Sequence, residues 1–139
     1  MRTEEPVKPV VLIVDDHRPT LMAVQQLLLR ANPACRVLTA DSAEQALEHC
    51  AREAPHVVVM DISLPGMDGI EATRRVKALA PQTQVVMHSS HDLPIYREAA
   101  ASAGASAFVP KHKTHVELIP QIAALLTAVF GGTRNAGTG

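Results

Sequence analysis

Five polar residues of types that could act together in one chemical site follow short apolar runs of this 139-residue sequence. They are Asp15 and Asp16 after the first run, Asp61, Ser89, and Lys111 just after the last run. Three carboxylates in one site repel each other unless a cation joins them, and hard oxygen ligands suit Mg²⁺. A carboxylate can also attack phosphorus and form an aspartyl phosphate. These residue types therefore favour phosphoryl chemistry at a carboxylate supported by a metal.

Each residue type would have its own task in such a site. Asp61 is the candidate phosphoacceptor, because the Ser89 hydroxyl and the Lys111 ammonium can hold the other phosphate oxygens. A bound cation would let the carboxylates stay ionised and would neutralise charge that develops during transfer. A single aspartate after a strand is usually a helix cap or turn residue, and a single lysine there is usually a solvated charge. The functional interpretation depends on the joint arrangement at several strand ends.

Five valine-rich runs predict the strands that must position these residues. The runs do not alternate strictly with polar residues, which is typical of strands covered on both faces. They are Val10-Val14, Arg36-Ala40, Val57-Met60, Val85-His88 and Ala107-Val109.

Helix signals lie between the predicted strands. Prolines suit first turns, an aspartate suits an N-cap, and a glycine suits the position after a helix. The signals are Pro19, Asp68, Pro94 and Gly104, with two capping boxes, Ser42 with Gln45 and Thr114 with Glu117. The helix after Asp68 is expected to turn Ile70, Val76 and Leu79 inward. Pro120 predicts either a bend near residues 116–120 or a regular last helix that starts near Ile119.

This alternation of strands and helices predicts an α/β fold with a parallel sheet and helices on both faces. Five strands are too few for an eight-stranded barrel, so we expect a five-stranded, flavodoxin-like (βα)5 fold with strand order 2-1-3-4-5. Strands 1 and 3 are then neighbours, and their carboxyl ends flank the crevice where ligands bind in such sheets.

The composition excludes several classes of function. With 13 basic and 14 acidic residues the net charge is −1, which leaves no basic surface for nucleic acid. Aromatic residues make up 2% of the chain, which disfavours stacking on single strands. No apolar run approaches the roughly 20 residues of a membrane span, and the polar residues 1–9 are not expected to be a secretory signal. Two cysteines are too few for a disulfide framework, so we expect a cytoplasmic protein with reduced thiols.

The sequence predicts one folded unit between two short ends. Residues 1–9 are expected to form a flexible leader, and residues 10–130 the domain. The segment 131–139 has four glycines in nine residues and predicts a flexible tail or the start of an interdomain linker.

Four motifs in this order resemble the receiver domain of two-component response regulators over about residues 9–130. The motifs are Val11-Leu-Ile-Val-Asp-Asp-His17, Val58-Val-Met-Asp-Ile-Ser-Leu-Pro-Gly-Met-Asp-Gly69, Val85-Val-Met-His-Ser-Ser-His91 and Phe108-Val-Pro-Lys111. The first motif and the Leu-Pro-Gly-Met-Asp-Gly loop look most like the NarL/FixJ-type subgroup, whose receivers precede a helix-turn-helix DNA-binding domain.

The resemblance implies a signalling domain, not an enzyme, that is phosphorylated on Asp61 by a sensor histidine kinase or a phosphotransfer protein. It implies Mg²⁺, with Mn²⁺ as an alternative, held by Asp16, Asp61 and the backbone carbonyl of Ser63. Asp15 would act mainly through metal-bound water, and Lys111 would pair with a phosphate oxygen.

The resemblance also implies a switch. Ser89 would move onto the phosphoryl group, and Phe108 would turn inward after it. The face formed by helix 4, strand 5 and helix 5 would then change shape and meet an output partner or a second protomer. Ser63 and His91 would flank the path of attacking water and tune the rate at which the phosphate is lost.

Two positions depart from the family pattern. His88 stands where an aliphatic residue is usual, which predicts either a buried histidine satisfied by a hydrogen bond or a pH-sensitive group. A zinc site formed by His88, His91 and His112 matches no standard ligand spacing. His112 also replaces the proline that commonly follows the lysine.

An Mg²⁺-dependent aspartyl-phosphate phosphatase is the alternative function. That family usually has two acids one residue apart after strand 1, whereas Asp15 and Asp16 are adjacent, and no cap domain fits this length. A flavin- or nucleotide-binding module is disfavoured, because residues 15–19 stand where its glycine-rich phosphate loop would lie.

Overall fold

Strands and helices alternate along the whole domain. A computed structural model describes the backbone of residues 8–138 and the side chains of residues 8–130. The elements are β1 (Val10–Val14), α1 (Arg18–Ala31), β2 (Arg36–Ala40), α2 (Ala43–Arg52), β3 (Val57–Met60), α3 (Gly69–Leu79), β4 (Gln84–Ser89), α4 (Pro94–Ala103), β5 (Ala107–Pro110) and α5 (Ile119–Thr138). A 3-10 turn (Lys111–Lys113) and a π-helical turn (Thr114–Leu118) connect β5 to α5. The predicted leader and tail lie largely outside the described side chains, and their boundaries stay predictions.

The five strands form one parallel sheet in the order β2-β1-β3-β4-β5, as predicted. Because side chains alternate along a strand, Leu12 and Val14 of β1 pack on one face, and Val11 and Ile13 pack on the other. Helices α2, α3 and α4 contribute to the first apolar cluster, and α1 and α5 contribute to the second. Both faces of the sheet are therefore buried, which explains the continuous apolar runs.

Most of the predicted helix ends are confirmed. The Asp68 carboxylate accepts the Glu71 N–H at 2.9 Å, and the Ser42 hydroxyl accepts the Gln45 N–H at 3.2 Å. Gly104 follows α4 in the left-handed region, with φ of 107°. The prediction that Leu79 faces inward is wrong, because the side chain is 54% exposed and the buried stripe of α3 continues from Val76 to Ala80, four residues on.

The predicted Thr114–Glu117 capping box is wrong. The backbone of Thr114 is already helical, and its hydroxyl donates to the carbonyl of Lys111 at 2.7 Å instead of capping a helix. The regular helix α5 begins at Ile119 with Pro120 as its second residue, which confirms the second alternative. Proline has no N–H and clashes with the carbonyl four residues before it, so a wider π-helical turn precedes it.

None of the helices in the described part of the chain has both the length and the apolar character that crossing a bilayer requires.

Candidate functional site

The carboxyl ends of β1 and β3 hold two buried carboxylates side by side. The Asp15 N–H donates to the Ala40 carbonyl at 3.1 Å, and the Asp61 N–H donates to the Val14 carbonyl, also at 3.1 Å. Sheet hydrogen bonding thus continues one residue beyond both strands and fixes the backbone of each aspartate. Asp15 is 2% exposed and Asp61 is 4% exposed.

Asp16 completes an acidic cluster with these two residues. One carboxylate oxygen from each of Asp15, Asp16 and Asp61 lies within 4.8 Å of the others, and Asp16 is the exposed member. Asp15 Oδ2 is buried, and no hydrogen-bond donor is aligned with it. Because three clustered carboxylates repel one another and carboxylates are preferred Mg²⁺ ligands, this donor set fits a divalent cation.

Lys111 reaches the acidic cluster from the turn after β5. Its Nζ donates to Asp61 Oδ2 at 3.2 Å and lies 2.9 Å from Asp15 Oδ2, where it forms an ion pair. Burial opposes the charge on Lys111, but its contact with Asp15 and the charge of Asp61 outweigh burial and raise the pKa of the lysine. The site therefore contains an ammonium that is charged at neutral pH and contacts two carboxylates.

The pKa of Asp61 is raised from its ordinary value. Burial is the largest cause, and the neighbouring Asp15 charge acts in the same direction. The Lys111 ammonium and the Ser63 N–H partly offset these effects because both favour the ionised carboxylate. A cation beside Asp61 would favour the ionised form further, which is the form that can act as a nucleophile.

Three side chains at strand ends are each held by a local turn, and the three turns are of the same type. Each of Asp15, Asp61 and Ser89 accepts a hydrogen bond from the backbone N–H two residues further along. The donors are His17 at 2.8 Å, Ser63 at 3.3 Å and His91 at 3.0 Å. These turns are not among the features predicted from the sequence, although aspartate and serine are the residue types that form them. These turns restrain the three side chains at the ends of their strands.

The two predicted switch residues lie on adjacent strands. Ser89 is fully buried at the end of β4, and Phe108 is half-buried on β5 against the α2–α4 side of the core. The Arg97 guanidinium lies 4.7 Å from the centre of the Phe108 ring. A cavity of about 110 Å³ beside α4 is bordered by Arg97 and Phe108. The structure places Ser89 and Phe108 as predicted, and their movement stays a prediction.

Ser63 and His91, the two residues predicted to tune the rate of phosphate loss, have exposed side chains. Ser63 is held two residues beyond Asp61 by the turn described above, and the backbone of His91 caps Ser89. The His91 ring lies 5.5 Å from the Tyr96 ring, centre to centre. Their influence on the rate, and the Ser63 carbonyl as a metal ligand, stay predictions.

Of the two interpretations predicted for His88, the structure agrees with a buried histidine whose ring is hydrogen-bonded. It is 2% exposed, and its Nε2 lies 2.8 Å from Thr114 Oγ1. Burial lowers the pKa of His88 to about 4, and the Lys111 charge acts in the same direction. The ring is therefore neutral from pH 6 to 8, and the structure does not support pH sensing in that range. Within the described residues, no three-residue group that includes a histidine has ligand atoms close enough to share a metal.

Comparison with known proteins identifies the family. A profile described as "Response regulator receiver domain" matches residues 11–123. This chain belongs to the response regulator receiver family. Its relatives include "Transcriptional activator protein ExaE" of Pseudomonas putida, 37% identical over 102 residues, which are 73% of this chain and 47% of that protein. They also include "Probable transcriptional regulatory protein NarL" of Mycobacterium tuberculosis, 30% identical over 122 residues, 88% of this chain and 56% of that protein.

Solved structures of receivers share the fold. A two-component response regulator of the LuxR family from an Aurantimonas species matches with a TM-score of 0.80 and 30% identity, covering 88% of this chain and 87% of that one. A CheY-like receiver domain protein from Methanospirillum hungatei matches with a TM-score of 0.81 and 25% identity, covering 88% and 96%. The family, the fold and the likeness to NarL-type regulators are confirmed. This receiver spans about half the length of ExaE and NarL.

Proposed function

We propose that this receiver accepts a phosphoryl group on Asp61 from the phosphohistidine of a sensor histidine kinase or phosphotransfer protein. The observation that carries the proposal is the contact of Asp61 with Lys111 Nζ, at 3.2 Å, inside a cluster of three carboxylates. In this role the chain receives and holds one phosphoryl group and does not turn over substrate.

Each residue of the site has its own role in the transfer of the phosphoryl group. A carboxylate oxygen of Asp61 forms a bond to phosphorus as the bond from phosphorus to the donor's imidazole nitrogen breaks. The Ser63 N–H and Lys111 Nζ each hold one Asp61 oxygen, so the acceptor is oriented before the donor arrives. Lys111 also pairs with an oxygen of the transferred group and stabilises its charge.

Asp15, Asp16, Asp61 and the Ser63 carbonyl would hold Mg²⁺, or Mn²⁺ with the same donor set. When bound, the ion would neutralise charge on the carboxylates and on the phosphoryl oxygens. The close approach of one carboxylate oxygen from each of the three aspartates supports this assignment. Lys111 alone cannot balance three carboxylates, so the site has room for further positive charge.

Phosphorylation would be transmitted through Ser89 and Phe108. Ser89 Oγ accepts the His91 N–H, which leaves its own proton free to be donated to a phosphoryl oxygen. Phe108 would follow toward the space that Ser89 leaves. Its contact with Arg97 connects this movement to α4, so the face of α4, β5 and α5 would change and meet an output partner, an output domain or a second protomer.

The proposal also covers the cellular location of the protein and the way in which it would act on transcription. Cys35 and Cys50 are both buried free thiols, which supports the predicted cytoplasmic location. With a net charge of −1, the chain would act on transcription through a partner or an attached domain and not by its own contact with DNA.

Intact-mass measurement after incubation with acetyl phosphate and Mg²⁺ tests the acceptor. We expect wild type to gain one phosphoryl group and Asp61→Asn to gain none. Asp68→Asn is the matched control, since Asp68 is an exposed helix cap outside the cluster and asparagine also caps helices. No Mg²⁺-dependent gain in wild type, or an equal gain in Asp61→Asn, contradicts the proposal. Sustained hydrolysis of a phosphate monoester would instead favour the phosphatase.

A further inference from the structure

Two hydrogen bonds connect the turn that carries Lys111 to the neighbouring strand β4. Thr114 Oγ1 lies 2.7 Å from the Lys111 carbonyl oxygen and 2.8 Å from His88 Nε2. His88 immediately precedes Ser89, and Thr114 begins the π-helical turn before α5. The connection therefore joins β4, the 3-10 turn and the approach to the last helix at one hydroxyl.

The chemistry of the hydroxyl fixes the direction of both bonds. A threonine hydroxyl has one proton, and this one is donated to the Lys111 carbonyl. Toward His88 the hydroxyl can then only accept, so the histidine must carry its proton on Nε2. The buried ring is thus a neutral donor in one defined tautomer.

The connection lies where the backbone restraints of β5 end. Pro110 pairs with Ser89 in the last register position between β4 and β5 but has no N–H to donate to the sheet. Lys111 follows at once, in a short 3-10 turn. The Thr114 hydroxyl closes that turn on the Lys111 carbonyl, and His88 holds the hydroxyl against β4.

We propose that His88 and Thr114 are positioning residues for Lys111, which set the distance of its ammonium from Asp61 and thereby the rate of phosphoryl transfer. This inference rests on the proposed role of Asp61 as the acceptor. Neither side chain is hydrogen-bonded to Asp61 among the described residues, and the hydrogen bonds that they do make lead to the backbone of Lys111. Phosphoryl transfer depends mainly on positioning and electrostatic stabilisation, so a loosened ammonium lowers the rate.

Phosphorylation kinetics of three threonine variants test the proposal. Thr114→Val removes the hydroxyl and keeps the shape, whereas Thr114→Ser keeps the hydroxyl. Thr83→Val is the matched control, because Thr83 is 1% exposed and donates to the Pro55 carbonyl at 2.6 Å at the other end of β4. Thr114→Val loses the two hydrogen bonds of its hydroxyl and Thr83→Val loses one, so both variants lose stability.

The variants separate positioning from stability. With acetyl phosphate and saturating Mg²⁺, we expect Thr114→Val to lower the phosphorylation rate at saturating donor by about fivefold to tenfold, since small misplacements of catalytic groups cost this much or more. Thr114→Ser should restore the rate, and Thr83→Val should match wild type. Equal rates for Thr114→Val and Thr83→Val would overturn the positioning role and leave the acceptor intact.

The nitrogen chemical shifts of the His88 ring give a readout that needs neither metal nor phosphate. We expect the Nε2–H tautomer in wild type and Thr114→Ser, and a changed Nε2 environment in Thr114→Val but not in Thr83→Val. An Nδ1–H tautomer in wild type would overturn the inference. If the tautomer is as expected but wild type takes no phosphoryl group, the acceptor role fails, and the positioning role fails with it.

Discussion

Asp15 illustrates how a single buried side chain can depend on a cation. Its Oδ1 accepts the His17 N–H, but its Oδ2 has only the ion pair with Lys111 and no aligned donor. Burying this carboxylate beside two others costs free energy of folding, and the single Lys111 ammonium offsets only part of that cost. A divalent cation shared with Asp16 and Asp61 would recover part of that cost.

Mg²⁺ is therefore expected to stabilise the folded protein in the absence of any phosphate donor. At a concentration ten times its dissociation constant, binding only to the folded state adds about 1.4 kcal/mol to the free energy of unfolding. Thermal unfolding with and without Mg²⁺ measures the effect. The gain should shrink strongly in Asp15→Asn and persist in Asp68→Asn. Equal gains in the two variants would show that Mg²⁺ acts elsewhere.

His88 predicts a pH dependence of stability. Its pKa of about 4 in the folded protein lies below the ordinary value of 6.5, so protonation favours the unfolded state. The contribution is fully present above pH 6.5 and falls as the pH drops from 6.5 to 4, by about 3 kcal/mol.

Urea unfolding between pH 7 and 4 measures this loss. We expect the free energy of unfolding of His88→Leu to fall less steeply than that of wild type over this range, whatever the difference between them at pH 7. His112→Leu replaces an exposed histidine and serves as the control. Parallel curves for wild type and His88→Leu would mean that His88 is not held neutral by burial.

The sequence predicts where the side chains of the site lie only to the extent that it predicts the strands that carry them. The apolar runs and the parallel order place Asp15, Asp61 and Ser89 at one edge of the sheet, and there the structure finds them. The bond between His88 and Thr114 joins residues 26 positions apart, and its existence depends on side-chain directions that no local pattern encodes.

At the scale of elements, the sequence predicts strands and most helix ends well because both depend on local signals. The five predicted runs match the strands to within one residue at each end. The last helix is the exception. A capping box requires a free threonine hydroxyl, and at Thr114 the hydroxyl is already bonded to the Lys111 turn. A tertiary contact outweighs the local signal there.

Helix α3 begins directly against the acceptor, and Gly69 makes this contact possible. A Cβ on Gly69 would lie 1.9 Å from the Asp61 carbonyl oxygen, and backbone cannot yield as a side chain can. We expect Gly69→Ala to lower the free energy of unfolding by about 3 kcal/mol or more, and to slow phosphorylation because α3 and Asp61 must separate. Urea unfolding and intact-mass kinetics measure the two effects.

Gly66→Ala is the control for Gly69→Ala in the same loop. Gly66 has φ of 76°, and the nearest atom to its added Cβ is a Glu44 carboxylate oxygen at 3.7 Å. Only the left-handed backbone should penalise alanine there, by about 1–2 kcal/mol. If Gly69→Ala proves as stable as Gly66→Ala, then α3 is not pressed against Asp61 in solution.

At the scale of the whole molecule, the acidic site and the Phe130 ring lie at opposite ends of the strands. The acidic cluster lies at the carboxyl ends of the strands. The near-neutral net charge of the chain therefore hides a locally acidic crevice. Phe130 packs near the amino ends of the strands. Its ring lies 4.8 Å from the ring of His56, which precedes β3. A change that begins at Asp61 and passes through Phe108 should leave this distant end of the sheet undisturbed.

The scarcity of aromatic residues makes this separation measurable. The sequence has two phenylalanines, so 4-fluorophenylalanine labelling gives one fluorine signal for Phe108 and one for Phe130, assigned with Phe108→Leu. With acetyl phosphate and Mg²⁺, we expect the Phe108 signal to move, because its ring and the Arg97 contact rearrange, and the Phe130 signal to stay. Neither should move in Asp61→Asn. If the protein is phosphorylated but its Phe108 signal is unchanged, then accepting the phosphoryl group does not drive the aromatic switch. If both signals move, the rearrangement extends well beyond the α4-β5-α5 face.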